Sequence, residues 1–133
     1  MHDRVDLARY RFSCAEECLQ NAKDLLALEN QGRKASANRS YYAFFHAMRA
    51  VLALEGKDFK KHSALISYFR QQYMQPGVFP ASCSKALTKI FRIRQRSDYE
   101  DFFLLSAEEA QEQIDNAEAF LLLVKAYLED HIR

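Results

Sequence analysis

Two apolar stripes, one toward each end of the chain, most constrain what it can fold into. Val5, Ala8, Phe12, Ala15, Leu19, Ala22 and Leu26 recur at alternating spacings of three and four, and Ala107, Ala110, Ile114, Ala117, Leu121, Val124 and Leu128 do the same. That period marks one face of an α-helix; a half-buried strand would alternate every second residue. Both stripes alternate small and large side chains, which lets two long helices approach closely. Ser106 with Glu109 three positions later forms a capping box, so the last helix is expected to start near residue 107. Gly32, just past the first stripe, reads as the stop of the first helix.

Three further helical segments lie between. Residues 36 to 55 run to Gly56 as a stop, residues 62 to 74 run to a turn at Gln75, Pro76 and Gly77, and residues 81 to about 99 follow Pro80. Ser63 or a neighbour is expected to cap the middle segment. The reading is all-α: an antiparallel up-and-down bundle of four main helices plus one short helix, in one domain over residues 1–133. The scarcity of turn formers agrees, since 3 Gly and 2 Pro cannot punctuate an all-β chain of 133 residues. No apolar run approaches the ~20 residues of a membrane span, and Met1 leads directly into charged residues, so a cytoplasmic protein is expected. Cys14, Cys18 and Cys83 are an odd set without paired spacing and read as free thiols of a reducing compartment.

The net charge of +1 hides an asymmetry. Residues 33 to 96 hold 13 Lys or Arg against two acids, Glu55 and Asp58, while the flanks hold 6 against 16. A basic middle suits a polyanion such as RNA or a nucleotide phosphate. Acidic outer helices shielding a basic inner pair would give the same pattern.

Charged residues also fall on faces that should be buried. In the segment 81–99 the stripe Cys83, Leu87, Ile90 and Phe91 continues onto Arg94 and Asp98, whereas Lys85, Lys89, Arg92 and Arg96 form a separate basic face. A charge aimed at an interior needs a partner or a ligand. Arg94 therefore reads either as a phosphate fork, with Asp98 orienting it and Tyr99 as a hydrogen-bonding edge, or as half of a structural pair closing the bundle. In the segment 36–55, Arg39, Tyr42, His46 and Arg49 share a stripe. Arg39 and His46 stand ~10.5 Å apart along a helix axis, within convergence of long side chains on one ligand. There Arg supplies a bidentate donor and His a proton acceptor. A half-buried polar stripe is the plainer alternative. Lys61 and His62, at the start of the next helix, could meet an anion or simply be exposed. No glycine-rich phosphate loop, zinc signature or nucleophile elbow is present, and no metal or cofactor is expected.

The blocks "NRSYYAFFHAMRAVLALEG", "KKHSALISYF", "IFRIRQRSDYEDFF" and "SAEEAQEQIDNAEAFLL", in this order and spacing, resemble the HEPN family over about residues 5 to 128. The resemblance implies an all-α bundle that dimerises. It also implies a small prokaryotic protein, often encoded beside a minimal nucleotidyltransferase of the MNT type as a toxin–antitoxin pair, and in many members a metal-independent ribonuclease. The family motif is an Arg, four to six residues, then a His, with a polar residue often following the Arg and two such sets facing across the dimer.

This chain departs from that motif. Four to six residues beyond Arg94 stand Tyr99, Glu100 and Asp101; Arg92 and Arg96 find no His either. Arg39-Ser40 with His46 satisfies the spacing on an earlier helix. The "RSDY" end resembles a branch of the family that binds nucleotide or a partner. The candidate catalytic residues are Arg94, His46, Asp98 and Tyr99, and the candidate nucleotide- or RNA-binding residues are Arg39, Tyr42, Arg92, Arg96, Lys61 and His62. The expected function is an RNA-cleaving HEPN toxin, or a non-catalytic nucleotide binder that docks a nucleotidyltransferase. A third reading is a dimeric structural helper. A homodimer is also expected from the aromatic excess of Tyr41, Phe44, Phe45, Phe91, Phe102 and Phe103, which is more than a bundle this small is expected to enclose.

Overall fold

A computed structural model of the chain describes residues 3–28 and 32–132. The helices are α1 (Arg4–Leu26), α2 (Arg33–Glu55), α3 (His62–Phe69), α4 (Ala81–Tyr99) and α5 (Ala107–His131), with a π-helical turn at Arg70–Met74 continuing α3. No strand occurs among the described residues. The architecture is the expected all-α bundle of four long helices and one short one.

α2 is the hub. It packs against α1, α4 and α5, and Ala43, Ala47 and Ala50 lose all solvent contact so that neighbouring backbones can close in. Cross-contacts give the directions. Ser36 donates to the Ala22 carbonyl and Arg11 to the Arg49 carbonyl, so α1 and α2 run antiparallel. Asn38 meets Asp98 and Tyr41 meets Arg94, so α2 and α4 are antiparallel as well. Phe44 of α2 stacks on Phe120 of α5 at 3.9 Å between ring centroids, at the centre of the apolar cluster.

The helix ends show which local signals held. Ser106 and Glu109 form the capping box at the start of α5, and Gly56 ends α2 in the left-handed conformation at φ 72°. Two expectations need correction. Gly32 does not stop α1, which ends at Leu26 with Ala27 as its cap; Gly32 is the N-cap of α2, which begins at Arg33 rather than 36. A Cβ at Gly32 would lie 1.7 Å from the Leu25 carbonyl oxygen, so glycine is needed there for close approach between chain segments. Ser63 does not cap α3: Lys61 holds the N-cap position and no side chain bonds the free N–H groups.

Most of the aromatic excess is enclosed within the one bundle. Tyr41, Phe44 and Phe45 are buried, Phe91 and Phe103 are half-buried, and only Phe102, at 96% exposure, stands free. α2 encloses more rings than a peripheral helix could, because three helices surround it.

Candidate functional site

Tyr42, half-buried on α2, gathers four of the candidate residues around one ring. The Arg39 guanidinium carbon lies 5.1 Å from the ring centroid and that of Arg94 lies 5.7 Å from it. The rings of His46 and His62 stand 6.0 and 5.9 Å from the same centroid. Arg39, Tyr42 and His46 come together because three- and four-residue steps stack them on one helix face. Arg94 comes from α4, and His62 is the first residue of α3. Two cations and two imidazoles thus surround one phenol ring.

Arg94 is held from two sides. Its Nε lies 3.1 Å from Asp98 Oδ2, and its guanidinium carbon sits 5.1 Å from the Tyr41 centroid. The Nε hydrogen is not well aimed at the carboxylate, since Nε remains without a directed hydrogen bond. Asp98 also accepts from Asn38 Nδ2 at 3.4 Å. The pair therefore ties α4 to α2 and orients Arg94 toward the Tyr42 ring at the same time. Both readings of Arg94 and Asp98 fit this geometry.

The histidines differ. Burial, followed by the positive charges of Arg49, Arg39 and Arg11 and by His62, pulls the His46 pKa below the ordinary imidazole value. Burial, Arg94 and Arg49 do the same for His62. Both rings are therefore neutral near pH 7. His46 Nδ1 is buried without a partner, whereas His62 Nδ1 lies 3.1 Å from the Tyr41 hydroxyl and its ring stacks on Phe45 at 4.0 Å.

Four candidates lie outside this cluster. Tyr99 is the last residue of α4 and 74% exposed, off the face of Cys83, Leu87, Ile90 and Ile93. Arg96 pairs with Glu100 at 2.8 Å and covers Phe103 at 4.2 Å. Arg92 and Lys61 are exposed. Among the described residues no three His, Cys, Asp or Glu side chains gather as a metal site, and no helix is long and apolar enough to cross a membrane.

Several site residues escaped the sequence reading. Arg11, 8% exposed, donates to the Arg49 carbonyl at 3.2 Å and to Asp58 Oδ2 at 3.2 Å, and Arg49 reaches the same oxygen at 3.1 Å. Asp58 bridges the two cations from within the loop that leads to His62. The signal was present: Arg11 stands three after Ala8 and four before Ala15, on the stripe that is truly buried, while Val5 and Phe12 are only half-buried. Tyr41 and Asn38 carried no such signal, because their partners come from other helices.

A model of the HEPN domain matches residues 8–127. The chain belongs to the HEPN family. It is 30% identical over 130 residues to a UPF0332 protein of Thermotoga maritima, covering 98% of this chain and 97% of that relative. Two Methanocaldococcus jannaschii proteins named as candidate toxins also match. One is 32% identical over 116 residues, 87% of this chain and 84% of its own length. The other is 24% identical over 114 residues, 86% and 76% respectively. Four to six residues beyond Arg94 stand Tyr99, Glu100 and Asp101, and the two mid-chain histidines flank Tyr42.

Proposed function

We propose that this HEPN protein is the toxin-like member of a toxin–antitoxin-like pair, a single domain that binds and cleaves RNA at the Tyr42 cluster without a metal ion. The observation that carries the reading is the convergence of Arg39, Arg94, His46 and His62 on one phenol ring. Candidate toxins among the relatives support the toxin side of it.

Each group has a step it can perform. Arg39 and Arg94 offer planar donor forks to the non-bridging oxygens of a phosphodiester. Tyr42 offers a face on which an unpaired base can stack. His46, neutral near pH 7, takes the 2′-hydroxyl proton as the 2′-oxygen attacks the adjacent phosphorus. The 5′-oxygen leaves with a proton from solvent, and the product keeps a 2′,3′-cyclic phosphate. Arg94 meets the charge that builds on the phosphorane. Arg92, Arg96 and Lys61 add a basic surface that draws the backbone in. A homodimer and an MNT-type nucleotidyltransferase that restrains the toxin complete the proposal.

The test is incubation of RNA with the protein in excess chelator. Cleavage to cyclic-phosphate ends is expected, with a loss of ~100- to 10,000-fold in His46→Ala. No cleavage by the unsubstituted protein would reject it.

A second reading has its own observation. No histidine follows Arg94 at the family spacing, so the same aromatic and cationic cluster would serve as a non-catalytic nucleotide site on a protein that docks the nucleotidyltransferase. Nucleotide affinity lost in Arg94→Ala but kept in His46→Ala would favour it.

A further inference from the structure

Two imidazoles beside one phenol need not have the same role, and the hydrogen bond to Tyr41 separates them. Tyr41 is fully buried, and its hydroxyl has one hydrogen-bond partner among the described residues, His62 Nδ1 at 3.1 Å. A buried hydroxyl hydrogen without an acceptor is costly. Burial, with a smaller effect of Tyr42 and against the opposing effect of Arg94, pushes the Tyr41 pKa up to about 12, so the phenol keeps its proton and has it to give.

We propose that Tyr41 fixes His62 in the tautomer that carries its hydrogen on Nε2, making His62 a phosphate-binding hydrogen-bond donor beside Arg94 rather than a proton-transfer group. This rests on the reading of the Tyr42 cluster as a phosphate-binding site. Tyr41 donates to Nδ1, Nδ1 accepts, and the one ring hydrogen must then sit on Nε2. Among the described residues Nε2 has no hydrogen-bond partner, and it is not among the buried atoms. Stacking on Phe45, at 4.0 Å and 30° between planes, holds the ring against rotation. Arg94 lies 5.1 Å from the Tyr41 centroid, so one phenol fixes the imidazole through its hydroxyl and meets the guanidinium at its face.

The surroundings favour this state. The groups acting on His62 are Tyr41, Tyr42, His46, Arg49 and Arg94, together with the adjacent Lys61, and none is a carboxylate. His62 opens α3, whose first N–H groups have no side-chain cap, so an anion accepting from Nε2–H would also approach the positive end of that helix. The assignment divides the work: His46 transfers the proton, and His62 supplies a directed, uncharged donor.

Long-range proton–nitrogen correlation spectra of the full chain read the tautomer directly. A hydrogen on Nε2 of His62 and none on Nδ1 is expected near pH 7, and Tyr41→Phe should let the two tautomers mix. The functional arm uses His62→Gln, whose amide nitrogen can still donate, and His62→Ala. Inorganic phosphate and a 2′-deoxy-substituted RNA oligonucleotide are the binding probes. His62→Gln should keep binding and cleavage within about tenfold of the unsubstituted protein, while His62→Ala loses ~100- to 1000-fold in cleavage, as removal of an oxyanion donor does.

A hydrogen on Nδ1 with Nε2 bare would overturn the proposal. So would His62→Gln being as inactive as His46→Ala. If the unsubstituted protein neither cleaves RNA nor binds phosphate, the proposed function fails and the donor role falls with it. The tautomer spectrum then separately decides whether Tyr41 fixes His62.

Discussion

Arg39 and Arg94 approach the same phenol ring, that of Tyr42, from different helices, with guanidinium carbons 5.1 and 5.7 Å from its centroid. Neither arginine needs the other for the fold, since Arg39 bonds Asn38 on its own helix and Arg94 pairs with Asp98 on its own. Their convergence brings two guanidinium groups, one from α2 and one from α4, to a single α2 side chain.

Arg94→Ala should weaken RNA binding by ~10- to 100-fold, the loss of a hydrogen bond to a charged group worth ~1.5–3 kcal/mol. Arg94→Lys keeps the charge but not the fork, and should recover only part of that loss. Fluorescence anisotropy with labelled RNA checks both, and circular dichroism checks that the helices persist. Equal binding by all three proteins would place the RNA elsewhere.

Asp58→Asn should cost ~1–2 kcal/mol in stability, because it leaves the buried Arg11 without its carboxylate, while the half-exposed Asp58 side limits the penalty. Burial alone would raise the Asp58 pKa, but the Arg49 hydrogen bond, the Phe59 N–H and the charges of Arg49 and Arg11 outweigh it and hold it below the ordinary value. A depressed folded-state pKa gives stability that is full above the unfolded value of ~3.9 and is lost as pH falls through the folded one. Urea titrations at pH 7 and below pH 4 should show the gap between Asp58→Asn and the unsubstituted protein closing in acid.

His46 and His62 also have depressed pKa values in the folded state. The unfolded chain takes up protons first, so stability is full above ~6.5 and declines as pH falls from there toward the folded values. Cleavage that uses neutral His46 should decline only at lower pH, as pH falls through the depressed folded value of His46. Imidazole proton shifts followed against pH check this, and either histidine titrating above 6.5 would contradict it.

Gly32→Ala should destabilise the protein by more than ~1 kcal/mol, since its Cβ would fall 1.7 Å from backbone at Leu25 and cannot be accommodated by a side-chain movement. Gly77→Ala is the comparison: its φ is 87° but nothing lies within 4 Å, so its cost is backbone strain of ~1–2 kcal/mol. Thermal melting of both separates close approach from strain.

The fold was legible where its causes are local. The capping box at Ser106, the left-handed Gly56 and the limits of α4 each follow from chemistry within a few residues. Gly32 was misread because its reason is the Leu25 carbonyl, a contact that spacing does not encode. At the site, periodicity put Arg39, Tyr42 and His46 on one face and aimed Arg94 inward. It could not pair Tyr41 with His62, because which ring of α2 meets the start of α3 depends on how the loop over 57–61 is held. Arg11 was passed over because its charge outweighed its place on the buried stripe. Tyr99 directly follows Asp98 in sequence, but as the last residue of α4 it stays exposed.

The central claim is that RNA is cut at the Tyr42 cluster, and it is tested most directly by comparing cleavage rates in excess chelator between substitutions inside and outside that cluster. Arg39→Ala, His46→Ala and Arg94→Ala are the inner set, and Tyr99→Phe and Lys61→Ala the outer. The account predicts that His46→Ala loses ~100-fold or more, that both arginine variants lose at least ~10-fold, and that Tyr99→Phe and Lys61→Ala stay within about tenfold of the unsubstituted protein. Full cleavage by a folded His46→Ala protein, or a larger loss from Tyr99→Phe than from Arg94→Ala, would contradict it.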